Sequence, residues 1–167
     1  SNDIPELNRV EKEIKEKGGF ATSLPFDLSN PVEVENAADL VLTNNKNIHF
    51  LFNNAGISQR NTVLDTPIEI DRKIMEINYF SGIILTKKLL PRMIENGGGH
   101  IIITSSISGV FGFPLRSAYA AAKHALHGFY ESLWTENYSK NIRTTVICPG
   151  RVKTNISFNA IGKNGLP

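Results

Sequence analysis

Short apolar runs alternate along the chain with longer amphipathic segments, and this alternation predicts the secondary structure. The apolar runs predict four strands, at residues 20–26, 48–52, 100–105 and 144–148. The amphipathic segments predict helices, at residues 6–17, 31–42, 67–95 and 117–138. Strands separated by helices are typical of an α/β fold with a parallel sheet and right-handed crossovers. Because no low-complexity linker divides residues 1–167, we expect a single domain.

The composition narrows the class of protein further. Of the 167 residues, 41% are hydrophobic and 20% are charged, which is enough to build a core. The net charge of +2 is scattered, so nucleic acid is not an expected partner. The single cysteine, Cys148, allows no disulfide within the chain and indicates a reducing, cytoplasmic location. The residues shown contain no apolar run of the roughly 20 residues that a membrane-spanning helix needs.

Small and polar residues follow each predicted strand. They are Asp27-Leu28, Asn53 to Gly56, Ser105-Ser106 and Pro149-Gly150. The carboxyl ends of parallel strands meet at one edge of a sheet, where the loops form a ligand crevice. We therefore expect the function to lie at this edge.

Tyr119 and Lys123 are four residues apart on one predicted helix, so their side chains share a face. Taken alone, the pair is more typical of exposed neighbours on a helix than of a functional site. Ser106 precedes Tyr119 by a short loop in which Gly109 and Gly112 allow the chain to turn back towards the helix. The alternative role for Ser106 is a turn or helix cap.

Together these residues resemble a known family. The segments Asn53-Asn54-Ala55-Gly56, Asn78, Ser106, Tyr119-x-x-x-Lys123 and Pro149-Gly150-x-x-x-Thr154 occur in the order found in the short-chain dehydrogenase/reductase family. The resemblance extends from Asp27 to Thr154. It implies a Rossmann-like doubly wound parallel sheet, NAD or NADP as cofactor with NADP slightly favoured, and a homodimer or homotetramer.

The resemblance also implies a role for each matching residue. Ser106, Tyr119 and Lys123 match the catalytic residues, and Asn78 matches a residue that holds a water molecule in a proton relay. Asp27 matches the carboxylate that binds the adenine. The other matches to the cofactor site are Leu28, Asn53, Asn54, Ala55, Gly56, Pro149, Gly150, Val152 and Thr154, with Tyr119 and Lys123 also contacting the cofactor. No metal site is expected.

Simple chemistry agrees with these roles. Hydride reduction of a ketone creates an alkoxide that needs a proton, so the site must contain an acid that works near neutral pH. A Lys ammonium about 4 Å from a phenol, at an effective dielectric constant near 20, favours the phenolate by roughly 4 kcal/mol. Lys123 can therefore make Tyr119 a usable acid and base. Ser106 can donate a hydrogen bond to the carbonyl oxygen, where negative charge develops.

Several positions keep two interpretations. Asn53 is as compatible with a structural tie between strands as with contact to the cofactor. Asp27 is equally compatible with the N-cap of the next helix. Asn78 is a poor helix former in mid-helix, which favours a specific hydrogen-bonding role over a solvated face. Cys148 is predicted to be a small buried strand residue. His124 and His127 are expected to be ordinary surface or core histidines.

The N-terminal part of the chain differs from the family pattern, because no Gly-x-Gly turn that could hold a pyrophosphate occurs before Gly97. We therefore expect the sheet to be incomplete at the N-terminus and a strand-helix-strand unit to precede Ser1. The chain also ends soon after Thr154, where family members continue, so we expect the sheet to be incomplete at the C-terminus as well. The alternative function is a non-catalytic Rossmann-like binding or assembly module. If the protein is an enzyme, apolar residues near the catalytic helix favour a small apolar carbonyl or alcohol substrate, namely Val110, Phe111, Phe113, Pro114 and Leu115.

Overall fold

Three parallel strands and five α-helices form the computed structural model, which describes residues 2–150, 152, 155–156 and 158–166. The strands are β1 (Phe50–Asn53), β2 (Gly99–Thr104) and β3 (Ile142–Ile147). The helices are α1 (Ile4–Glu16), α2 (Pro31–Asn44), α3 (Ile68–Met75), α4 (Ser81–Glu95) and α5 (Ser117–Asn137). Most predicted elements are thus present, with ends that differ by a few residues.

The sheet is parallel throughout, in the order β1-β2-β3. Phe50 lies opposite His100 in the first pair, and Thr104 lies opposite Ile147 in the second. Helices α3 and α4 connect β1 to β2, and α5 connects β2 to β3, as expected for a Rossmann-like α/β fold. The parallel arrangement brings the carboxyl ends of the three strands to one edge of the sheet.

The main core lies between the central strand and the helices. Ile101 and Ile103 alternate along β2 on one face of the sheet and are fully buried. They pack in one cluster with Met93 of α4 and with Leu126 and Tyr130 of α5. This packing fixes the position of α5 relative to the end of β2, where the candidate site lies.

The strand predicted at residues 20–26 is wrong, because the segment has no regular secondary structure and Phe20 is fully exposed. A strand needs a neighbour to complete its backbone hydrogen bonds, and no described strand pairs with this segment. Ser23 of this segment forms its hydrogen bonds with α1 instead. The Ser23 N–H donates to Glu11 Oε2 over 2.7 Å, and the Ser23 hydroxyl donates to the Leu7 carbonyl over 3.2 Å.

The helical pattern predicted for residues 67–95 is one continuous helical stretch that changes type midway. A π-helical turn, Glu76–Phe80, separates α3 from α4, whereas the helix runs through Pro91 without a break. Such turns insert one extra residue into a helix and often occur at functional sites. This one contains Asn78, which is buried.

The described part of the chain contains no helix that is both long and apolar enough to span a membrane.

Candidate active site

Helix α5 places Tyr119 and Lys123 on its buried face, beside the end of β2. Tyr119 is 9% exposed and Lys123 is 3% exposed. The Lys123 Nζ atom donates a hydrogen bond of 2.7 Å to the Thr104 carbonyl, and it lies 5.7 Å from the centre of the Tyr119 ring. The structure therefore brings the two predicted residues together as a buried cation beside a phenol.

Local sequence explains why the first turns of this helix can pack closely against α3. Four alanines occupy its first turns, at positions 118, 120, 121 and 122, and alanine combines high helix propensity with a small side chain. Ala118 and Ala122 pack in a second buried cluster with Ile70 and Ile74 of α3 and with Ile161. Contacts on both sides of the helix thus fix the turn that carries Tyr119 and Lys123.

Burial changes the chemistry of the lysine. Removal from water disfavours the charged ammonium and lowers the pKa of Lys123 from 10.5 to about 8. A lysine with this pKa is still mostly protonated at neutral pH. It can therefore place a positive charge next to Tyr119 in a region of low dielectric constant.

Ser106 lies two positions after the end of β2 and is half-buried. Its Oγ atom accepts a hydrogen bond of 3.1 Å from the Ser108 N–H and so caps the short 3₁₀ helix Ile107–Gly109. The cap role and a catalytic role are compatible, because a hydroxyl that accepts this bond still has its proton to donate. This short helix lies close to α5, since a Cβ added to Gly109 would be 3.0 Å from the Lys123 carbonyl oxygen.

Asn78 joins the π-helical turn to the loop after β1. Its Oδ1 accepts from the Ile57 N–H and its Nδ2 donates to the Ile57 carbonyl, each over 2.8 Å. A Cβ added to Gly56 would lie 3.1 Å from Asn78 Oδ1 and 3.5 Å from Lys123 Nζ. Gly56, Asn78 and Lys123 therefore converge. The amide of Asn78 holds the loop backbone, and its place in a water relay stays a prediction.

Asn53 and Asn54 both make structural hydrogen bonds. Asn53 Nδ2 donates to the Tyr130 hydroxyl over 2.8 Å and to Thr86 Oγ1 over 3.1 Å, which ties β1 to helices α5 and α4. Burial of the Tyr130 hydroxyl raises its pKa to about 12, so this phenol stays neutral. Asn54 Oδ1 accepts from the Thr104 hydroxyl over 2.8 Å and links the ends of β1 and β2.

Asp27 forms a tight turn and does not cap α2. Its Oδ1 accepts from the backbone N–H and the hydroxyl of Ser29, over 2.8 and 2.9 Å, and these bonds lower the pKa of the carboxyl group. The N-cap of α2 is Asn30, whose side chain accepts from the Val32 and Glu33 N–H groups. The predicted adenine contact of Asp27 stays a prediction.

A cleft runs along the carboxyl edge of β1 and β2. Its walls include apolar side chains and polar groups from the predicted site, namely Phe26, Leu28, Asn54, Ala55, Asn78 and Lys123. Among the described residues, the Lys123 ammonium donates to Thr104 alone, so two of its three N–H donors are available to a ligand. A buried ammonium group with two available N–H donors, in a partly apolar cleft, suits the sugar hydroxyls and the nicotinamide ring of a dinucleotide.

The last predicted cofactor residues lie beyond β3. The Pro149 carbonyl accepts from the Ile107 N–H over 3.1 Å, which joins this segment to the loop of Ser106. Gly150 and Val152 are exposed. Thr154 lies outside the described residues, so its contact to the nicotinamide end stays a prediction.

The prediction that Cys148 is a buried strand residue is wrong. The residue comes one position after the end of β3 and is exposed. The alternation of β3 would turn position 148 to the same face as buried Ile142, but the regular strand ends at Ile147, so the pattern does not extend to it. Its Sγ atom lies 3.8 Å from His127 Nε2, which in turn contacts the hydroxyl of buried Ser105 over 2.9 Å. His124 Nδ1 contacts the Ala120 carbonyl of its own helix. The described residues contain no cluster of three or more metal-ligating side chains.

Sequence reasoning missed Gln59, whose side chain is fully buried next to Tyr119. Its Oε1 atom accepts from the Ala118 N–H over 2.9 Å and from the Tyr119 N–H over 3.4 Å. The sequence alone does not indicate that this loop residue accepts hydrogen bonds from α5, because its partners are about 60 positions away in sequence.

A parallel α/β sheet with a buried tyrosine-lysine pair at its carboxyl edge defines a Rossmann-like protein with a candidate dehydrogenase site. The chain belongs to the short-chain dehydrogenase family, whose model, described as short chain dehydrogenase, matches residues 2–163. This finding confirms the family expected from the motifs.

Relatives and solved structures agree with this assignment. The chain is 43% identical over 166 residues to dehydrogenase/reductase SDR family member 7B of Mus musculus, covering 97% of this chain and 51% of the relative. It thus spans about half the length of the curated relatives it matches.

Two solved structures share the fold. A metagenomic short-chain oxidoreductase in complex with NADP has a TM-score of 0.86 and 29% identity, over 92% of this chain and 70% of its own. A 7 alpha-hydroxysteroid dehydrogenase complexed with NADH and 7-oxo glycochenodeoxycholic acid has a TM-score of 0.86 and 28% identity, over 93% and 60%.

Proposed function

We propose that the complete protein is an NAD(P)-dependent oxidoreductase that interconverts a secondary alcohol and a ketone. The observation that carries the proposal is the buried Lys123 ammonium 5.7 Å from the Tyr119 ring, in a cleft at the carboxyl edge of the sheet. Burying a charged lysine costs folding free energy, and such buried ionisable groups are common at functional sites. Family membership supports the same reaction class.

Tyr119, Lys123 and Ser106 have different roles in the proposed reaction. In the reductive direction the Tyr119 hydroxyl gives its proton to the carbonyl oxygen while the carbonyl carbon receives a hydride, so the ketone becomes an alcohol and the tyrosine a phenolate. Lys123 stabilises that phenolate through its positive charge. Ser106 donates a hydrogen bond to the same carbonyl oxygen as negative charge develops on it.

A nicotinamide cofactor, when bound, supplies the hydride or accepts it in the reverse direction. Lys123, with its two available donors, and the cleft residues Leu28, Asn54 and Ala55 are the groups expected to hold it. Both NAD and NADP should be tested, with NADP first. Relatives of this fold carry either cofactor, as the NADH and NADP complexes illustrate.

The substrate is expected to be a small apolar ketone or alcohol. Between Ser106 and α5 the chain exposes five large apolar side chains, each between 43% and 61% exposed, namely Ile107, Val110, Phe111, Phe113 and Leu115. Such a group of exposed apolar side chains beside a polar site is typical of ligand recognition. A related structure, the 7 alpha-hydroxysteroid dehydrogenase, was solved with 7-oxo glycochenodeoxycholic acid.

We also expect the complete protein to form a homodimer or homotetramer. Trp134 and Tyr138, near the end of α5, are 42% and 70% exposed, and their rings lie 5.7 Å apart. Large exposed aromatic side chains are enriched at protein interfaces. Light scattering at micromolar concentration should give a mass of two or four chains, and a monomer at that concentration would contradict the expectation.

The main test replaces the proposed acid in the complete protein. Tyr119→Phe should lower the turnover of an apolar ketone at least about 100-fold, because proton transfer by a positioned side chain is typically worth 10²–10⁴ in rate. Phenylalanine keeps the ring in place, so the Kd for NADPH should stay within a few-fold. Tyr138→Phe, which removes the same hydroxyl from an exposed site 19 positions along the chain, should leave the rate unchanged.

Two results would count against the proposal. A Tyr119→Phe variant that keeps more than about a tenth of the wild-type rate would contradict the acid-base role. A complete wild-type protein that neither shifts NADPH fluorescence nor reduces any ketone would favour the non-catalytic binding module instead.

A further inference from the structure

Gln59 uses its whole side-chain amide in a fully buried position. Oε1 accepts from the N–H groups of Ala118 and Tyr119, and Nε2 donates to Thr66 Oγ1 over 2.8 Å and to Ser117 Oγ over 3.2 Å. A primary amide offers two donors and two acceptor positions, and all four are in use here. The side chain is therefore held in one orientation.

Helix α5 begins without a cap from its own N-cap residue. The side chain of Arg116 makes no capping hydrogen bond, and Leu115 before it has a left-handed backbone with φ of 64°. The first four N–H groups of a helix lack partners within the helix, and capping usually comes from a nearby side chain. Here Gln59 supplies the acceptor for two of these groups, one of them the N–H of Tyr119.

Arg116 instead holds the backbone around Gln59. Its Nη1 atom donates to the Gln59 carbonyl over 2.8 Å and also to the hydroxyl of Ser58. The entry to α5 and the loop after β1 are thus connected in both directions. The helix N–H groups bond to the Gln59 side chain, and the residue before the helix bonds to the Gln59 backbone.

A second segment fixes Gln59 from the other side. Gln59 and Ile161 form an isolated parallel bridge in which the Ile161 N–H donates to the Ser58 carbonyl over 2.8 Å and the Arg60 N–H donates to the Ile161 carbonyl over 2.9 Å. Ile161 also packs in the cluster that contains Ala118 and Ala122. The backbone of Gln59 is therefore anchored independently of its side chain.

We propose that Gln59 is a positioning residue: it caps α5 across the fold and so sets where the first helical turn, and with it Tyr119, lies relative to Ser106. The link to catalysis rests on the proposed function, whereas the cap does not. Proton transfer depends steeply on geometry, and a displacement of about 1 Å can cost a factor of about 100 in rate. Gln59 acts through Tyr119 and needs no contact with substrate.

The test in the complete protein compares polar-to-apolar changes at the two ends of α5. Gln59→Leu removes the cap, and kcat should fall about 10- to 100-fold while the Kd for NADPH stays within about 3-fold. The matched control is Asn137→Leu. Asn137 is likewise buried, and its amide donates to the Leu133 carbonyl near the far end of the helix. This control should keep kcat within about 2-fold, because it leaves the first turn intact.

Two further variants separate capping from general destabilisation. Gln59→Glu keeps an oxygen acceptor at the helix N-terminus, where a negative charge is favourable, and should restore kcat to within about 5-fold of wild type. Gln59→Asn keeps the amide but is one methylene too short, and it serves if Gln59→Leu does not fold. It should lower kcat at least about 5-fold. A wild-type kcat in Gln59→Asn would overturn the proposal.

Amide hydrogen exchange supplies a readout that needs no turnover. The N–H groups of Ala118 and Tyr119 should exchange at least about 10-fold faster in Gln59→Leu and at the wild-type rate in Asn137→Leu. Unchanged exchange at both groups would overturn the cap, and faster exchange with an unchanged kcat would overturn the positioning role. Faster exchange in a protein that fails the Tyr119→Phe test would support the cap and count against the proposed function alone.

Discussion

Helices α5 and α1 are both regular, but they are held in place by different forces. Helix α5 buries residues along its whole length, from Ala118 to Asn137, whereas α1, each of whose 13 residues is described, buries none. The ends of α1 are typical of a surface helix, with Asp3 as its N-cap and Glu6 in the first turn.

Helix α1 instead has ion pairs between side chains on its own surface. Arg9 forms ion pairs with Glu6 and Glu13, and Lys15 pairs with Glu11. Such pairs at positions i+3 and i+4 support a helix locally but do little to fix it against the rest of the fold. Tyr119 and Lys123 lie instead on α5, whose position is set by the core. The difference teaches that the site is built where the backbone has least freedom to move.

The largest expected effect is on the free energy of unfolding, when one leucine in each of the two helices is replaced by alanine. Leu126→Ala should lower the free energy of unfolding of the complete protein by about 2–5 kcal/mol, because the side chain is 2% exposed in the main core. Leu7→Ala in α1 should cost less than about 1 kcal/mol, since Leu7 is only half-buried. Urea denaturation of both variants measures the contrast. Equal losses would show that α1 is docked as firmly as α5.

A second expectation concerns the cost of burying the lysine. Because the folded pKa of Lys123 is about 8 and its unfolded value is 10.5, the unfolded chain binds more protons between these two pH values. Stability therefore rises with pH across this window. Relative to Lys123→Met, the wild-type free energy of unfolding should increase by about 2 kcal/mol from pH 8 to pH 10.

Comparison with the methionine variant removes the contribution of other titrating groups. Tyr130, with a pKa raised to about 12, begins to oppose stability only above pH 10, and both proteins contain it. Chemical denaturation at pH 8, 9 and 10 supplies the measurement. Parallel pH profiles for the two proteins would mean that burial does not lower the pKa of Lys123 in the folded protein.

The sequence predicted what depends on local pattern. The apolar runs of β1, β2 and β3 and the helical spacing of α5 were readable because each is a property of neighbouring residues. The motif around Tyr119 and Lys123 was readable for the same reason, since both residues lie on one helix face. The family assignment follows from that motif order and is confirmed.

What the sequence did not predict depends on distant partners. Residues 20–26 have an apolar strand pattern, yet no described strand lies beside them to complete the hydrogen bonds. The cap on α5 comes from Gln59, about 60 positions away, so no local cap signal precedes the helix. The π-helical turn at Asn78 and the exposure of Cys148 are likewise set by packing around them.

The smallest expected effect is in α1, and it tests whether the surface ion pairs hold that helix. Arg9→Ala removes the ion pairs with Glu6 and Glu13, yet the side chain is more than half exposed, so solvent already screens the charges. Alanine also has the highest helix propensity, which offsets part of the loss. The thermal midpoint of the complete protein should therefore change by no more than about 1 °C. The same measurement in 0.5 M salt serves as the control, because screening should reduce even this difference. A larger drop at low salt would show that α1 depends on the pairs, and that the two helices differ less than their burial indicates.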